Sequence, residues 1–203
     1  DKAAGLEKTA GAVKTAGGQT STSTDDITTT AGVAALTKAA LTRHGHIDIL
    51  VNAAAGGWHG KFFEATESDW DKAIDRGLKS YFLTCQHIGK EMARKASGKI
   101  INITSIVGRL GSGGAVPWGS ARGGVDALTS AVAQALGQYG INVVALARGA
   151  TDTTPYSAAA RAERLRRLPF GRLGSEEDVV GPAIFLASDE SRWIHGSVVY
   201  CDG

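Results

Sequence analysis

The sequence predicts an α/β fold: a mostly parallel, twisted sheet with helices on both faces. Three observations predict it. Short apolar runs rich in β-branched residues alternate with longer segments whose apolar residues recur every three or four positions. Glycine fills 27 of 203 positions, about twice the ordinary usage of roughly 7%. It clusters between those runs and has no G-X-Y period. Nothing reads as a repeat or an interdomain linker, so residues 1–203 are expected to form one domain with a substantial core.

Residues 2–16 are Ala-rich and helix-compatible, and Gly17-Gly18 stops them. Residues 19–24 (QTSTST) are β-compatible but unusually polar. The spacing of Val33, Leu36 and Ala40 predicts a helix over 29–44. Residues 47–51 form a predicted buried strand, ended by the small-residue turn 52–57 (NAAAGG). A long helix is predicted over 67–95, with Trp70, Ile74, Leu78, Tyr81, Cys85, Ile88 and Met92 along one stripe. Strand 99–103, a Gly-rich loop over 105–116, helix 117–139 and strand 141–147 follow. Residues 151–170 read as irregular or weakly helical. Ser175 reads as an N-cap before an acidic first turn, and 197–201 as the last strand. Strands separated by helices mean βαβ units. Ligands of such sheets bind beyond the carboxyl ends of the strands, here 52–57, 104–116 and 148–154.

Charge and cysteine usage exclude several classes. There are 22 Lys+Arg against 20 Asp+Glu, a formal charge of +2 with no long basic block, so no nucleic-acid partner is expected. No run of 18 apolar residues occurs, and no membrane span is expected. The start of the chain carries no signal-peptide pattern. Cys85 and Cys201 make neither a disulfide framework nor a metal-ligand spacing, so a cytoplasmic location and no metal site are expected. Cys85 sits on an apolar helix face and reads as inert. His44, His46, His87 and His195 read as surface or packing residues.

Three segments together resemble the classical short-chain dehydrogenase/reductase family. Residues 46–57 (HIDILVNAAAGG) are similar to its Asp-x-Leu-Val-Asn-Asn-Ala-Gly turn. Residues 98–108 (GKIINITSIVG) are similar to its fifth strand and catalytic serine. Residues 171–203 are similar to its C-terminal helix and last strand. The resemblance spans essentially the whole chain. It implies a Rossmann-like three-layer αβα domain and hydride transfer between NAD or NADP and a carbonyl or alcohol.

In that family a tyrosine protonates the carbonyl oxygen, helped by a lysine four residues later. A serine holds the substrate oxygen, and an asparagine supports a proton-relay water. Matched onto this chain, the serine is Ser105, and the tyrosine position holds Trp118. The lysine position holds Arg122 and the asparagine position Gly77. The Pro-Gly after the sixth strand reads Arg148-Gly149. An indole N–H releases no proton near neutral pH, so Trp118 cannot be the acid. Arg122 keeps a charge that could bind a ribose hydroxyl, with a different shape. His59 is the one histidine placed where it could replace the acid.

The resemblance also implies cofactor contacts at Asp26 (adenine), Asn52, Ala53, Ala54, Arg122, Gly149, Thr151 and Thr153. A helix N-cap is the plain alternative for Asp26, tight-turn geometry for 52–57, and loop polarity for the threonines. Trp58, His59 and Phe62 fall by the family's substrate pocket, and residues 150–170 match its lid. Arg161, Arg164, Arg166 and Arg167 in that lid read as a solvated helix face, with an anion site as the alternative. The family's glycine-rich first turn has no counterpart here. Gly111-x-Gly113-Gly114 belongs to the loop after Ser105. Residues 1–24 resemble the third helix and third strand. The family's N-terminal β-α-β unit is missing from the written sequence, and strand 3 would then lack a neighbour. Further residues in the molecule, re-pairing of that strand, or a loosely held 1–24 are the alternatives, the first preferred.

Two functions are expected in that order. One is an NAD(P)-dependent oxidoreductase acting on a small alcohol or ketone, as a homodimer or homotetramer built through the helices at 67–95 and 117–139. The other is a catalytically degenerate binding or scaffold subunit. A structural subunit without a nucleotide site is the third possibility.

Overall fold

The computed structural model describes residues 2–54, 57–152 and 157–203. In chain order the helices and strands are α1 (Lys2–Thr15), α2 (Thr30–His44), β1 (Ile49–Asn52), α3 (Glu67–Ile74), α4 (Ser80–Lys95), β2 (Gly98–Ser105), α5 (Val107–Leu110), α6 (Val116–Leu136), β3 (Ile141–Arg148), α7 (Ala158–Arg167), α8 (Glu177–Ala187) and β4 (Val198–Cys201). The described strands make one parallel sheet in the order β1-β2-β3-β4.

The two middle strands are buried on both faces, which is why they read as continuous apolar runs, whereas Ile49 and Val51 of β1 are about half exposed, unlike the buried strand expected at 47–51. Successive side chains point to opposite faces. Ile100, Ile141 and Val143 therefore pack with Cys85, Ile88 and Met92 of α4 and Ala133 of α6. Ile101, Val144 and Leu146 pack on the other face with Leu186 of α8. This is the three-layer arrangement that the alternating pattern predicts. The two middle strands also carry an unbroken register from Gly98↔Ile141 to Ser105↔Arg148, which sets Ser105 and Arg148 side by side at the carboxyl edge.

The helix boundaries follow from local chemistry. Thr29 caps α2 by accepting from the Gly32 amide, and Gly45, at φ 81°, ends it. Thr66 and Asp69 form a reciprocal capping box at α3. Pro117 sits in the first turn of α6, where its missing N–H costs nothing.

Four expectations are corrected. The polar 19–24 segment is not in a strand; its Ser and Thr side chains have little apolar surface to bury. Residues 67–95 are not one regular helix, because Asp75–Lys79 form a π turn between α3 and α4. The Gly-rich 105–116 loop contains the short helix α5. Residues 158–167 are helical, capped by the Ser157 hydroxyl. No described helix is long and apolar enough to cross a membrane.

Candidate active site

The site is built at the carboxyl edge of β2 and β3. Ser105, the last residue of β2, is nearly buried. Its Oγ accepts from the Val107 amide at 3.3 Å, which leaves the hydroxyl proton to be donated elsewhere. It opens on a cavity of about 390 Å³ lined also by His59, Trp118, Arg148, Gly149, Thr151 and Arg164. His59 stands edge-on to the Trp118 ring, centroids 5.6 Å apart. The Trp118 Nε1 is buried and meets no acceptor among the described residues.

Arg122 is the surprise of the site. It is only 2% exposed, although it stands where the resemblance implies a ribose contact. Its Nη1 donates to the Ile103 carbonyl at 3.0 Å and to the Tyr81 hydroxyl at 3.3 Å, and its guanidinium lies 5.3 Å from the Tyr81 ring centre. Nε and Nη2 are buried without a partner among the described residues. The cause is Gly77. A Cβ built there would lie 2.9 Å from Nη2 and 3.2 Å from the Ala121 Cβ. The absence of a side chain in the π turn makes the room that the guanidinium fills. Burial pushes the Tyr81 phenol up, against the pull of Arg122, so its proton stays on and is donated to Ile103.

The other proposed cofactor residues fall into separate places. Asn52 is in the core. Its Nδ2 donates to the Asn102 Oδ1 at 2.9 Å, and its Oδ1 accepts from the Thr84 hydroxyl at 2.8 Å. Asn102 in turn donates to the Thr129 hydroxyl at 3.0 Å. The Cys85 thiol beside this network is pushed up to about 12 by burial, which keeps it protonated and inert. Ala53 is exposed. Ala54 lines a second cavity of about 570 Å³ with Asp26, Ile27, Lys72 and Arg76.

The Asp26 Oδ1 accepts from the amide and hydroxyl of Thr28. The capping role proposed for Asp26 belongs to Thr29, and Gly32 allows the close approach. A Cβ at 32 would lie 2.1 Å from the Asp26 carbonyl oxygen. The Gly149 amide donates to Cys201, and the Thr151 hydroxyl accepts from Arg148. Thr153 lies outside the described residues.

Of the three substrate residues, only His59 meets Ser105 in one cavity. Trp58 lines a small cavity with Asp69, Lys72 and Arg76, and Phe62 is 57% exposed. Two participants escaped sequence reasoning. Tyr81 stands one helical turn past Gly77 and was read only as part of an apolar stripe. Arg148 was visible as a departure from Pro-Gly, without its consequence.

This geometry is a parallel α/β sheet with a serine at its carboxyl edge, and the chain belongs to the short-chain dehydrogenase/reductase family. The family model described as Enoyl-(Acyl carrier protein) reductase matches residues 1–203. The chain is 34% identical over 189 residues to the 3-oxoacyl-[acyl-carrier-protein] reductase FabG of Chlamydia pneumoniae, covering 92% of this chain and 76% of that one. It is 36% identical over 181 residues to the (2S)-[(R)-hydroxy(phenyl)methyl]succinyl-CoA dehydrogenase subunit BbsD of Thauera aromatica, covering 88% and 73%. A crystal structure from Sinorhizobium meliloti 1021, assigned as a short-chain alcohol dehydrogenase, superimposes with a TM-score of 0.93 at 30% identity, covering 98% of this chain and 81% of that one.

Proposed function

We propose that the chain is an NAD(P)-dependent oxidoreductase acting on a small alcohol or ketone, with Ser105 holding the substrate oxygen. The carrying observation is the Ser105 hydroxyl: its proton is available for donation, and it faces a cavity at the carboxyl edge of a parallel sheet. The described residues suit the two ends of a dinucleotide. Asp26, Ile27 and Ala54 would hold the adenosine end, and Gly149, Ala150 and Thr151 the nicotinamide end. A third, small cavity borders both. It shares Lys72 and Arg76 with the first and Gly57 with the second. When bound, the nicotinamide exchanges a hydride with the substrate carbon.

The chain must then supply a proton to the substrate oxygen. Trp118 has none to give, and Arg122 is turned into the core. Among the described lining residues His59 is the side chain of a type that exchanges a proton near neutral pH. It is the acid in this reading. Association as a homodimer or homotetramer belongs to the proposal, supported by exposed Trp70 and Phe82 on the 67–95 segment.

The second reading, a degenerate binding subunit, is favoured by one specific observation. The Arg122 guanidinium fills the room left at Gly77, so two of the departures fit each other and turn the cation into the core. Reduced nicotinamide consumption with a panel of small ketones, run beside calorimetric NADH and NADPH binding, separates the two. Turnover that is lost in His59→Gln supports the enzyme. Cofactor binding without turnover supports the subunit.

A further inference from the structure

The cavity beside Ser105 carries an asymmetry of charge. Its described wall holds two arginines, Arg148 and Arg164, and no carboxylate. Three arginines of α7 are paired on the outside of the molecule, Arg161 with Asp152, and Arg166 and Arg167 with Glu163. Arg148 differs from all of these. It is part-buried at the end of β3, and its Nη1 donates to a neutral hydroxyl, that of Thr151. No salt bridge involves it among the described residues. Its main chain also accepts from the Ile106 amide, which ties it to the segment that carries Ser105.

We propose that this cavity selects substrates that bear their own carboxylate, short oxo acids or the corresponding hydroxy acids, and that Arg148 is the specificity-determining residue. The inference deepens the preceding reading and rests on Ser105 holding the reacting oxygen. A guanidinium partly withdrawn from water loses hydration that a neutral hydroxyl only partly replaces, and an incoming carboxylate restores the balance. The planar fork suits a carboxylate's two oxygens.

Register then limits the size of the substrate. Ser105 and Arg148 are direct partners on adjacent strands, whose spacing is about 4.8 Å. An oxygen at Ser105 and an anion at Arg148 are thus held from neighbouring main-chain positions in one cavity, which suits a short carbon skeleton. Ile106, Val107 and Trp118 give that skeleton an apolar wall. A neutral ketone of the same shape leaves the guanidinium unanswered. Discrimination of that kind exceeds what an extra methylene in an apolar pocket provides.

The test uses the full chain and needs no turnover. Binding of acetoacetate and of methyl acetoacetate is measured by calorimetry or saturation-transfer NMR, at low and high salt. The expected result is acetoacetate binding at least ~10-fold tighter, a preference that shrinks with salt and vanishes in Arg148→Gln. Equal binding of the two probes by the unaltered protein overturns the proposal, and so does a preference that survives in Arg148→Gln. Should that variant not fold, Arg148→Lys and the salt series decide, and a salt-independent preference overturns the proposal.

Inorganic pyrophosphate is the third probe. Arg148-dependent binding of pyrophosphate without that of acetoacetate would assign the arginine to a cofactor diphosphate and overturn the substrate assignment. The two readings fail separately. Acetoacetate binding without any nicotinamide oxidation sinks the oxidoreductase reading alone. Turnover indifferent to the ester sinks this one alone.

Discussion

Two buried polar clusters lie on the same sheet and face the same core, and they are built in opposite ways. Around Asn102 every described side-chain amide has a partner: Asn52, Thr84, Cys85 and Thr129 close a network across β1, β2, α4 and α6. Around Arg122 the pairing is incomplete, with Nε and Nη2, the Trp118 Nε1 and the Asp126 Oδ1 buried and unpartnered among the described residues. Burial raises the Asp126 carboxyl against the pull of Thr104 and Arg122, another mark of a cluster not fully satisfied. The first cluster specifies structure. The second departs at three positions from the family's catalytic pattern. The difference teaches that a scaffold can stay fully paired while the side chains at the positions proposed for chemistry are exchanged.

The largest expected effect comes from reversing that exchange. The triple variant Gly77→Asn, Trp118→Tyr, Arg122→Lys restores a titratable donor and a slimmer cation. Carbonyl reduction, followed as nicotinamide oxidation, should rise about 10²–10⁴-fold. No gain would mean that the comparison is drawn in the wrong place.

The next effect separates the clusters by stability. Asn102→Ala takes the Asn102 oxygen from the Asn52 amide, which keeps only the weak Cys85 sulfur acceptor, and removes the donor to the Thr129 hydroxyl; it should cost about 2–4 kcal/mol in urea unfolding. Arg122→Met should lie between neutral and about 1 kcal/mol stabilising, because the Tyr81 hydroxyl still serves the Ile103 carbonyl. If both variants lose stability alike, the contrast fails. Gly77→Asn alone should cost about 1–3 kcal/mol by crowding the guanidinium, and Arg122→Lys should relieve part of that cost.

The smallest effect is a pH dependence away from both clusters. Arg172 beside Asp178, with the Ser175 amide, holds that carboxyl well below its ordinary range. The folded value lies under the unfolded one of about 3.9. The stabilisation is therefore whole above that pH and is lost as pH falls through the folded value. Asp178→Asn should flatten the acid side of a melting-temperature profile slightly, since the pair is exposed.

Much of the scaffold was legible in the sequence because burial on both faces writes itself as apolar runs, as in residues 141–147. The helix over 30–44 was legible for the same reason, together with its Gly45 stop. The irregularities were not. A π turn has no compositional signature, so 75–79 looked like ordinary helix. QTSTST at 19–24 has β-compatible residue types, but pairing depends on what lies alongside.

In the site, Ser105 and Trp118 stood out because each falls at a recognisable spacing, and the cavity unites them with His59. The direction taken by Arg122 was hidden. It depends on the room left by a residue 45 positions earlier (122 − 77 = 45), and spacing along the chain does not encode that.

The π turn at Asp75–Lys79 has one more consequence, for the lengths the chain can adopt. Such a turn holds one residue more than an α turn while the helix continues on either side. Ala73 before it and Tyr81 after it are both buried. A one-residue deletion within 75–79 should close the wide turn and keep both faces in phase, whereas a deletion in the middle of α4 would rotate everything beyond it by about 100°. The long helix thus has a single splice point at which a lineage, or a protein engineer, can change its length without moving the sheet.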